Sequence, residues 1–393
     1  MASSRAGPAR GPTATPWQEV RPGLLPPESP VYFDRDPKLL RLDQNTNPLA
    51  PSVVKEVARI VERAQLQRYG SARGGRLRKA LAERAGLPED QVIVGNGSDE
   101  LLDTVARAYL GPGRRAAMYR PGYDLHAFFA LREGASVREL LVEPFSTLPP
   151  GREGPFVFPD PPGFLEEVDV LFHSAPHNPL GSRLPREQLH RWATALEDGV
   201  LVVDEAYAEF CEREPTGPGE LWSAGAEHAN VFFTRTFSKA WGLAGLRVGW
   251  GVAPSPVIGR LERFRIPYTL DSFAEELALA ALEDPSFLEE SVRRVAVQRE
   301  VLERGLRERG FRTLPSSANF LFCYPPTDGQ KLWEGLRDRG ILVRRVSPTP
   351  SCRLPLRVTV GLAEDHERLF EALDEVLEAE GTPVPAPTRK RRR

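Results

Sequence analysis

The chain has 393 residues, 41% of them hydrophobic, and a formal charge of −2; that length and apolar content predict two or three lobes around a large core. The near-neutral balance argues against a generic polyanion binder. Three cysteines (Cys211, Cys323 and Cys352) show neither metal-ligand spacing nor a disulfide framework. With no apolar leader and no run of about 18 apolar residues, a metal-free cytoplasmic protein off the membrane is expected.

In chain order, residues 1–30 are rich in Pro, Gly, Ala and Ser and read as a flexible arm. VKEVARIVERA (54–64) and GRLRKALAERAG (75–86) predict helices. QVIVGNG predicts a short strand running into a glycine turn, and SDELLDTVARAYL a helix with Ser98 and Asp99 placed to cap it. RAAMYRPGY, VDVLFHSAP, GVLVVDEAY and NVFFTRT predict strands. Their apolar runs barely alternate, which suits strands buried on both faces of a mainly parallel α/β sheet. After residue 285 the pattern changes: a long charged helix, the strands FRTLPSSANFLFCY, GILVRRV and PLRVTVG, and a closing helix, EDHERLFEALDEVLEAE. The expected organisation is an arm (1–30), a large domain with its N-terminal segment (31–285), a small α+β domain (286–380) and a basic tail (381–393). The terminal RKRRR is read as a solvated end; such a run attracts phosphate without specificity, so nucleic acid is not an expected partner.

Candidate chemistry sits at the predicted strand ends, where ligands bind in open α/β sheets. In TRTFSKAWGLAGLRVG, Lys239 lies among small residues that permit close backbone approach, with Thr236 and Ser238 offering hydroxyls and Arg247 a fork suited to phosphate. An amine beside phosphate ligands fits a Schiff base to pyridoxal phosphate (PLP); a loop lysine with an unrelated ion pair fits the stretch equally. Asp204 ends a buried strand, where a carboxylate needs a cationic partner such as a pyridinium nitrogen or else caps the next helix. Tyr207 follows within reach of a ring oxygen, or packs. Asn178, in HSAPHNPLG, starts an Asn-Pro turn, usually a structural feature. GNGSDE offers free backbone N–H groups at a helix start, an anion site by itself weak.

Taken in order from LRLDQNTNPLAPS to PLRVTVG, the chain resembles the fold-type I PLP-dependent aminotransferases, and most closely the histidinol-phosphate aminotransferase family. LRLDQNTNPLAPS is similar to that family's LD-x-NENP segment, QRYG to RYP, GNGSDE to G-x-G-x-DE and YRPGYDLH to PTY. SAPHNPLG is similar to SPNNPTG, VVDEAYAEF to D-EAY-EF, TRTFSKAWGLAGLRVG to T-SKAF-LAGLR-GY, and PLRVTVG to LRI-VG.

The resemblance implies roles. Lys239 would carry PLP as an aldimine and shuttle the proton, Asp204 pair with the pyridinium, and Tyr207 and Asn178 contact the 3′ oxygen. Tyr123 would stack on the ring; Ser98, Asp99, Ser238 and Arg247 would hold the phosphate. Tyr69 would reach the cofactor phosphate of a neighbouring subunit, implying a homodimer with shared sites. Asn45 and Asn47 would lie in the arm closing over substrate, Arg357 would bind the substrate's anionic end, and Arg344 stands where the family carries a second arginine for substrate phosphate. The departures (His126 for the second aromatic of PTY-x-x-Y, His177, Thr46, Gly70 and the segment IPYTL at 266–270) cluster on the expected substrate side, His126 above all. The implied activity is transfer of an amino group from an amino acid or phosphorylated amine to a 2-oxo acid such as 2-oxoglutarate. NTNPLAP is also similar to the NPLGP of threonine-phosphate decarboxylases, which lose CO2 instead. A PLP-binding DNA regulator would need a winged helix pair before the domain, and the Pro-rich start offers none.

Overall fold

A computed structural model describes residues 38–145, 156–161, 163, 165–211, 222 and 227–381. The predicted arm, most of the basic tail and its RKRRR run lie outside these residues.

Seven strands form the larger sheet: β2 (Val92–Gly95), β3 (Arg115–Arg120), β4 (Ser136–Leu141), β5 (Val170–Ser174), β6 (Val200–Asp204), β7 (Val231–Thr236) and β8 (Gly249–Val252), in the order β2-β8-β7-β6-β5-β3-β4. β7, β6, β5, β3 and β4 run parallel; β8 is antiparallel to both β2 and β7. Alternate residues feed opposite layers. Leu171, Leu201, Val203 and Phe233 enter one apolar cluster, while Val170, Phe172, Val200, Val202 and Phe232 enter the other. With a core on each face, every strand position gains from being apolar, hence the unbroken runs.

Helices cover the sheet and link its strands: α1 (Val57–Ala64), α2 (Gly75–Ala85), α3 (Gly97–Tyr109), α4 (Asp124–Arg132), α5 (Arg186–Ala195), α6 (Ser255–Phe264) and α7 (Ser272–Glu283). The cap expected at Ser98 and Asp99 is displaced. Asn96 is the N-cap of α3, its side chain bonding the Thr269 carbonyl instead, and Ser98 and Asp99 lie inside the first turn. The glycine turn sets this offset: Gly97 takes φ +79°, so the helix starts one residue earlier than its hydroxyl suggests.

The long α8 (Ser286–Glu308) leads to a second sheet of β1 (Leu40–Leu42), β9 (Arg312–Thr313), β10 (Phe320–Tyr324), β11 (Ile341–Arg345) and β12 (Leu356–Thr359), in the order β1-β11-β12-β10-β9. α9 (Gly329–Asp338) and α10 (Ala363–Ala379) pack on it and on each other. FRTLPSSANFLFCY is two strands rather than one, broken where SSAN turns. β1 comes from the N-terminal segment and pairs parallel with β11, Leu40 opposite Ile341. The residues after β1 therefore run between the two sheets. No helix among the described residues is long and apolar enough to cross a membrane.

Candidate active site

The C-terminal ends of β3, β5, β6 and β7, the N-terminal turn of α3 and strands β11 and β12 of the second sheet converge on one cleft of about 330 Å3. Its wall includes Ser98, Asp99, Tyr123, Asn178, Asp204, Tyr207, Ser238, Lys239, Arg247, Arg344 and Arg357. Most of the candidates named above thus share a single surface; Asn45, Asn47, Tyr69 and His126 do not line it.

One end of the cleft is an anion cup. Ser238 follows β7, its hydroxyl accepting from Arg247 Nη1 at 3.1 Å and bonding Thr236 Oγ1 at 2.9 Å. Arg247 Nη2 lies 3.3 Å from Asp99 Oδ2. A Cβ built on Gly97 would meet Arg247 Nη2 at 2.6 Å, and one on Gly249 would meet Ser98 N at 2.2 Å. Side chains are excluded because the first turn of α3 crosses the start of β8 in direct backbone contact. This presents the positive end of α3 and a guanidinium to one small volume, the donor set that holds a phosphate. Gly249→Ala is therefore expected to cost about 1–3 kcal/mol in overpacking and to weaken PLP binding by the apo-protein. A fluorescence titration giving the wild-type Kd would remove the cup from the phosphate site.

At the centre, Asp204 ends β6. Its Oδ1 accepts from the Ala206 N–H and the Thr234 hydroxyl, both at 3.2 Å. Tyr123 donates to Asp99 Oδ1 at 3.0 Å, and burial, reinforced by Asp99, pushes its phenol well above the usual range. Lys239 Nζ donates to the Gln44 carbonyl at 3.1 Å and stands 5.7 Å from the Tyr207 ring centre. Its ammonium is pushed down to about 8, first by desolvation and next by the Arg357 cation. Lys239 lines the cleft, and the shift reflects the low-dielectric wall around it.

The opposite end is cationic. Arg344 and Arg357 face each other in register on β11 and β12. Arg357 donates to Asn178 Oδ1 at 2.7 Å and to the Asp43 carbonyl at 2.6 Å, with its guanidinium 5.3 Å from the Phe320 ring centre. Its Nε is buried with no hydrogen-bond partner among the described residues. Arg344 lies 3.5 Å from Asp124 Oδ2, at the start of α4.

The remaining candidates sit elsewhere. His126, expected on the substrate side, is 3% exposed beneath Tyr123, stacked on Phe172, with Nε2 3.8 Å from Asp204 Oδ2. It lies in the first turn of α4, which points it back onto β5 and the end of β6. Asn45, expected against substrate, is wholly buried behind Tyr207. Tyr69 is 88% exposed and touches Tyr268, ring centres 5.3 Å apart. Asn47 donates to the carbonyls of Lys239 and Ala240 and to Ser291, fixing the lysine loop. Functional positions the sequence did not flag include Thr234, a hydroxyl inside an apolar strand, and the carbonyls of Asp43 and Gln44, which carry no side-chain signal. Among the described residues, no group of His, Cys, Asp and Glu could hold a metal.

The family model for aminotransferase class I and II matches residues 37–373. The chain belongs to that family. It is 36% identical over 347 residues to a histidinol-phosphate aminotransferase of Nitratidesulfovibrio vulgaris, covering 86% of this chain and 89% of that protein. It is 38% identical over 373 residues to histidinol-phosphate aminotransferase 2 of Methylococcus capsulatus, covering 92% and 96%. The histidinol-phosphate aminotransferase of Sinorhizobium meliloti, solved in complex with pyridoxal-5′-phosphate, superposes with a TM-score of 0.75 at 25% identity, over 87% of this chain and 91% of that one. This aminotransferase is a fold-type I, PLP-dependent enzyme, and the cup, the carboxylate and the desolvated lysine fit that cofactor's phosphate, ring nitrogen and aldehyde.

Proposed function

We propose that the enzyme moves the amino group of a donor with a distal anion, a histidinol-phosphate-like amine, to a 2-oxo acid such as 2-oxoglutarate. The observation carrying this reading is the in-register pair Arg344 and Arg357 at the end of the cleft opposite the phosphate cup. Two guanidiniums there leave a place for substrate charge after the cofactor phosphate has been met elsewhere. The names of the relatives point to the same donor class.

Bound PLP supplies an electron sink for the pair left when the donor's α-C–H ionises. The chain's residues do the rest. Ser98, Asp99, Ser238 and Arg247 anchor the phosphate, Tyr123 covers the ring, and Asp204 keeps the ring nitrogen protonated. Tyr207 and Asn178 hold the ring oxygen. Lys239 Nζ takes the α-proton and returns it. His126, against Asp204 rather than the cleft, supports that carboxylate. Tyr69 completes a neighbouring subunit's site, which makes the working form a homodimer; its exposed ring suits that task. The three free cysteines suit a reducing cytoplasm.

The test is a panel of amine donors, each mixed with PLP-loaded enzyme in single turnover while the cofactor's absorbance is followed. Conversion is expected first with phosphorylated or carboxylated donors, and recovery only after a 2-oxo acid is added. Release of CO2 with no acceptor required would replace this reading by decarboxylation. The threonine-phosphate decarboxylase of Porphyromonas gingivalis shares the fold (TM-score 0.70, 20% identity, 86% of this chain and 99% of that one), and fold alone does not separate the two.

A further inference from the structure

Asn45 has φ 54° and is 0% exposed. Four of its polar groups are bonded. The backbone N–H donates to Thr359 Oγ1 at 3.0 Å, and the carbonyl accepts from Asn319 Nδ2 at 3.0 Å. The side-chain Oδ1 accepts from Thr359 Oγ1 at 3.1 Å, and Nδ2 donates to the Tyr207 hydroxyl at 3.0 Å. Thr359 ends β12 of the second sheet, and Tyr207 follows β6 of the first. The chain of bonds therefore runs from one sheet, through Asn45, to a hydroxyl on the wall of the cleft.

The direction of those bonds decides what the hydroxyl can do. An amide has two orientations, chosen by the network around it. In one, Thr359 gives its single proton to Oδ1 and the Asn45 NH2 faces Tyr207. In the other, Thr359 accepts from both Asn45 donors, and its own proton loses Oδ1, the acceptor it has in the first. The first keeps the Thr359 hydroxyl and both ends of the Asn45 amide hydrogen-bonded, the arrangement buried polar groups favour. With Nδ2 already donating to its oxygen, the Tyr207 hydroxyl must direct its proton away from Asn45, into the cleft.

We propose that Asn45 and Thr359 form a relay that orients the Tyr207 hydroxyl proton toward the ring oxygen of bound PLP. Asn45 is thus a positioning residue acting through Tyr207. The inference rests on the reading that Tyr207 reaches that oxygen. A hydroxyl donating to the ring oxygen stabilises its negative charge, so it lowers the pH at which the bound cofactor's absorbance titrates. Freeing the hydroxyl raises that pH.

The experiment is a pH titration of absorbance on purified PLP-loaded enzyme, with the cofactor's dissociation rate as a second readout. Asn45→Gly suits the positive φ and removes only the amide. It should raise the midpoint by about 0.4 to 1 pH unit, the range of one net hydrogen bond, and speed dissociation. Asn45→Asp places an acceptor against Tyr207 and turns its proton back, so its shift should exceed that of Asn45→Gly. In a Tyr207→Phe background, Asn45→Gly should add nothing. Thr359→Val, which lets the amide rotate, should shift the midpoint the same way and stands in if Asn45 variants do not fold. A wild-type midpoint in Asn45→Gly or Thr359→Val, or an equal shift in the Tyr207→Phe background, overturns the relay. If Tyr207→Phe itself leaves the midpoint unmoved, the placement of Tyr207 on the ring oxygen fails and the relay with it.

Discussion

Lys239→Ala is expected to abolish turnover while leaving the protein folded. The side chain's hydrogen bond is to the Gln44 carbonyl, so little of the fold depends on it. Loss of a positioned proton-transfer group alone removes roughly 10²–10⁴ in rate, and the cofactor's covalent anchor goes as well. Lys239→Arg should fare no better, because a guanidinium keeps its proton at all working pH values. The wild-type amine has a further signature. It is protonated below about 8 and free above it, since burial and the Arg357 cation disfavour the charged form. The rate at which the apo-protein captures PLP should therefore climb with pH through about 8 and level off beyond it. A climb centred near the ordinary value of 10.5, or a fully active Lys239→Ala, would remove Lys239 from the chemistry.

Arg357→Ala should show the second large effect, on substrate rather than cofactor. Its guanidinium is buried, donates to Asn178 and Asp43, and stays charged even though burial lowers its pKa. Losing its side of a buried charge pair with the donor's anion should cost about 2–5 kcal/mol, roughly thirty- to several-thousand-fold. Steady-state kinetics should place most of that in KM for the donor, with a much smaller change in PLP affinity. Equal losses in both would make Arg357 a support for Asn178 or for the fold. Arg357→Lys should recover little, because one ammonium cannot span Asn178 and the Asp43 carbonyl at once.

What could be read from sequence follows the physics of burial. β5, β6 and β7 are legible because both faces meet a core, and their polar ends stand out against apolar runs; Asn178, Asp204, Ser238 and Lys239 were found that way. β8 is illegible because GWGV is glycine-rich: Gly249 is small for Ser98, and a Cβ on Gly251 would meet the Phe232 ring at 2.6 Å. β4 is a half-exposed edge strand whose SVRELL carries no clear period. β1 is three residues long, and only its partner β11 makes it a strand. Asn45 and His126 lie near the cleft but do not line its wall. Burial of Asn45 depends on Thr359, 314 positions away, and that of His126 on the turn of α4. No local pattern encodes either.

β1 also sets an order of assembly. Leu40–Leu42 can find its strand partner only once residues 341–343 exist, roughly 300 positions later in a chain synthesised from its N-terminus at about 5–20 residues per second. The strands carrying the phosphate cup, Asp204 and Lys239 are complete long before that, but the Arg357 and Thr359 contacts are not. A growing chain thus carries every strand of the larger sheet while its first strand is still an unpaired edge, the kind of edge that invites wrong partners. Closing the second sheet is then the event that both quiets that edge and brings Arg344 and Arg357 to the cleft.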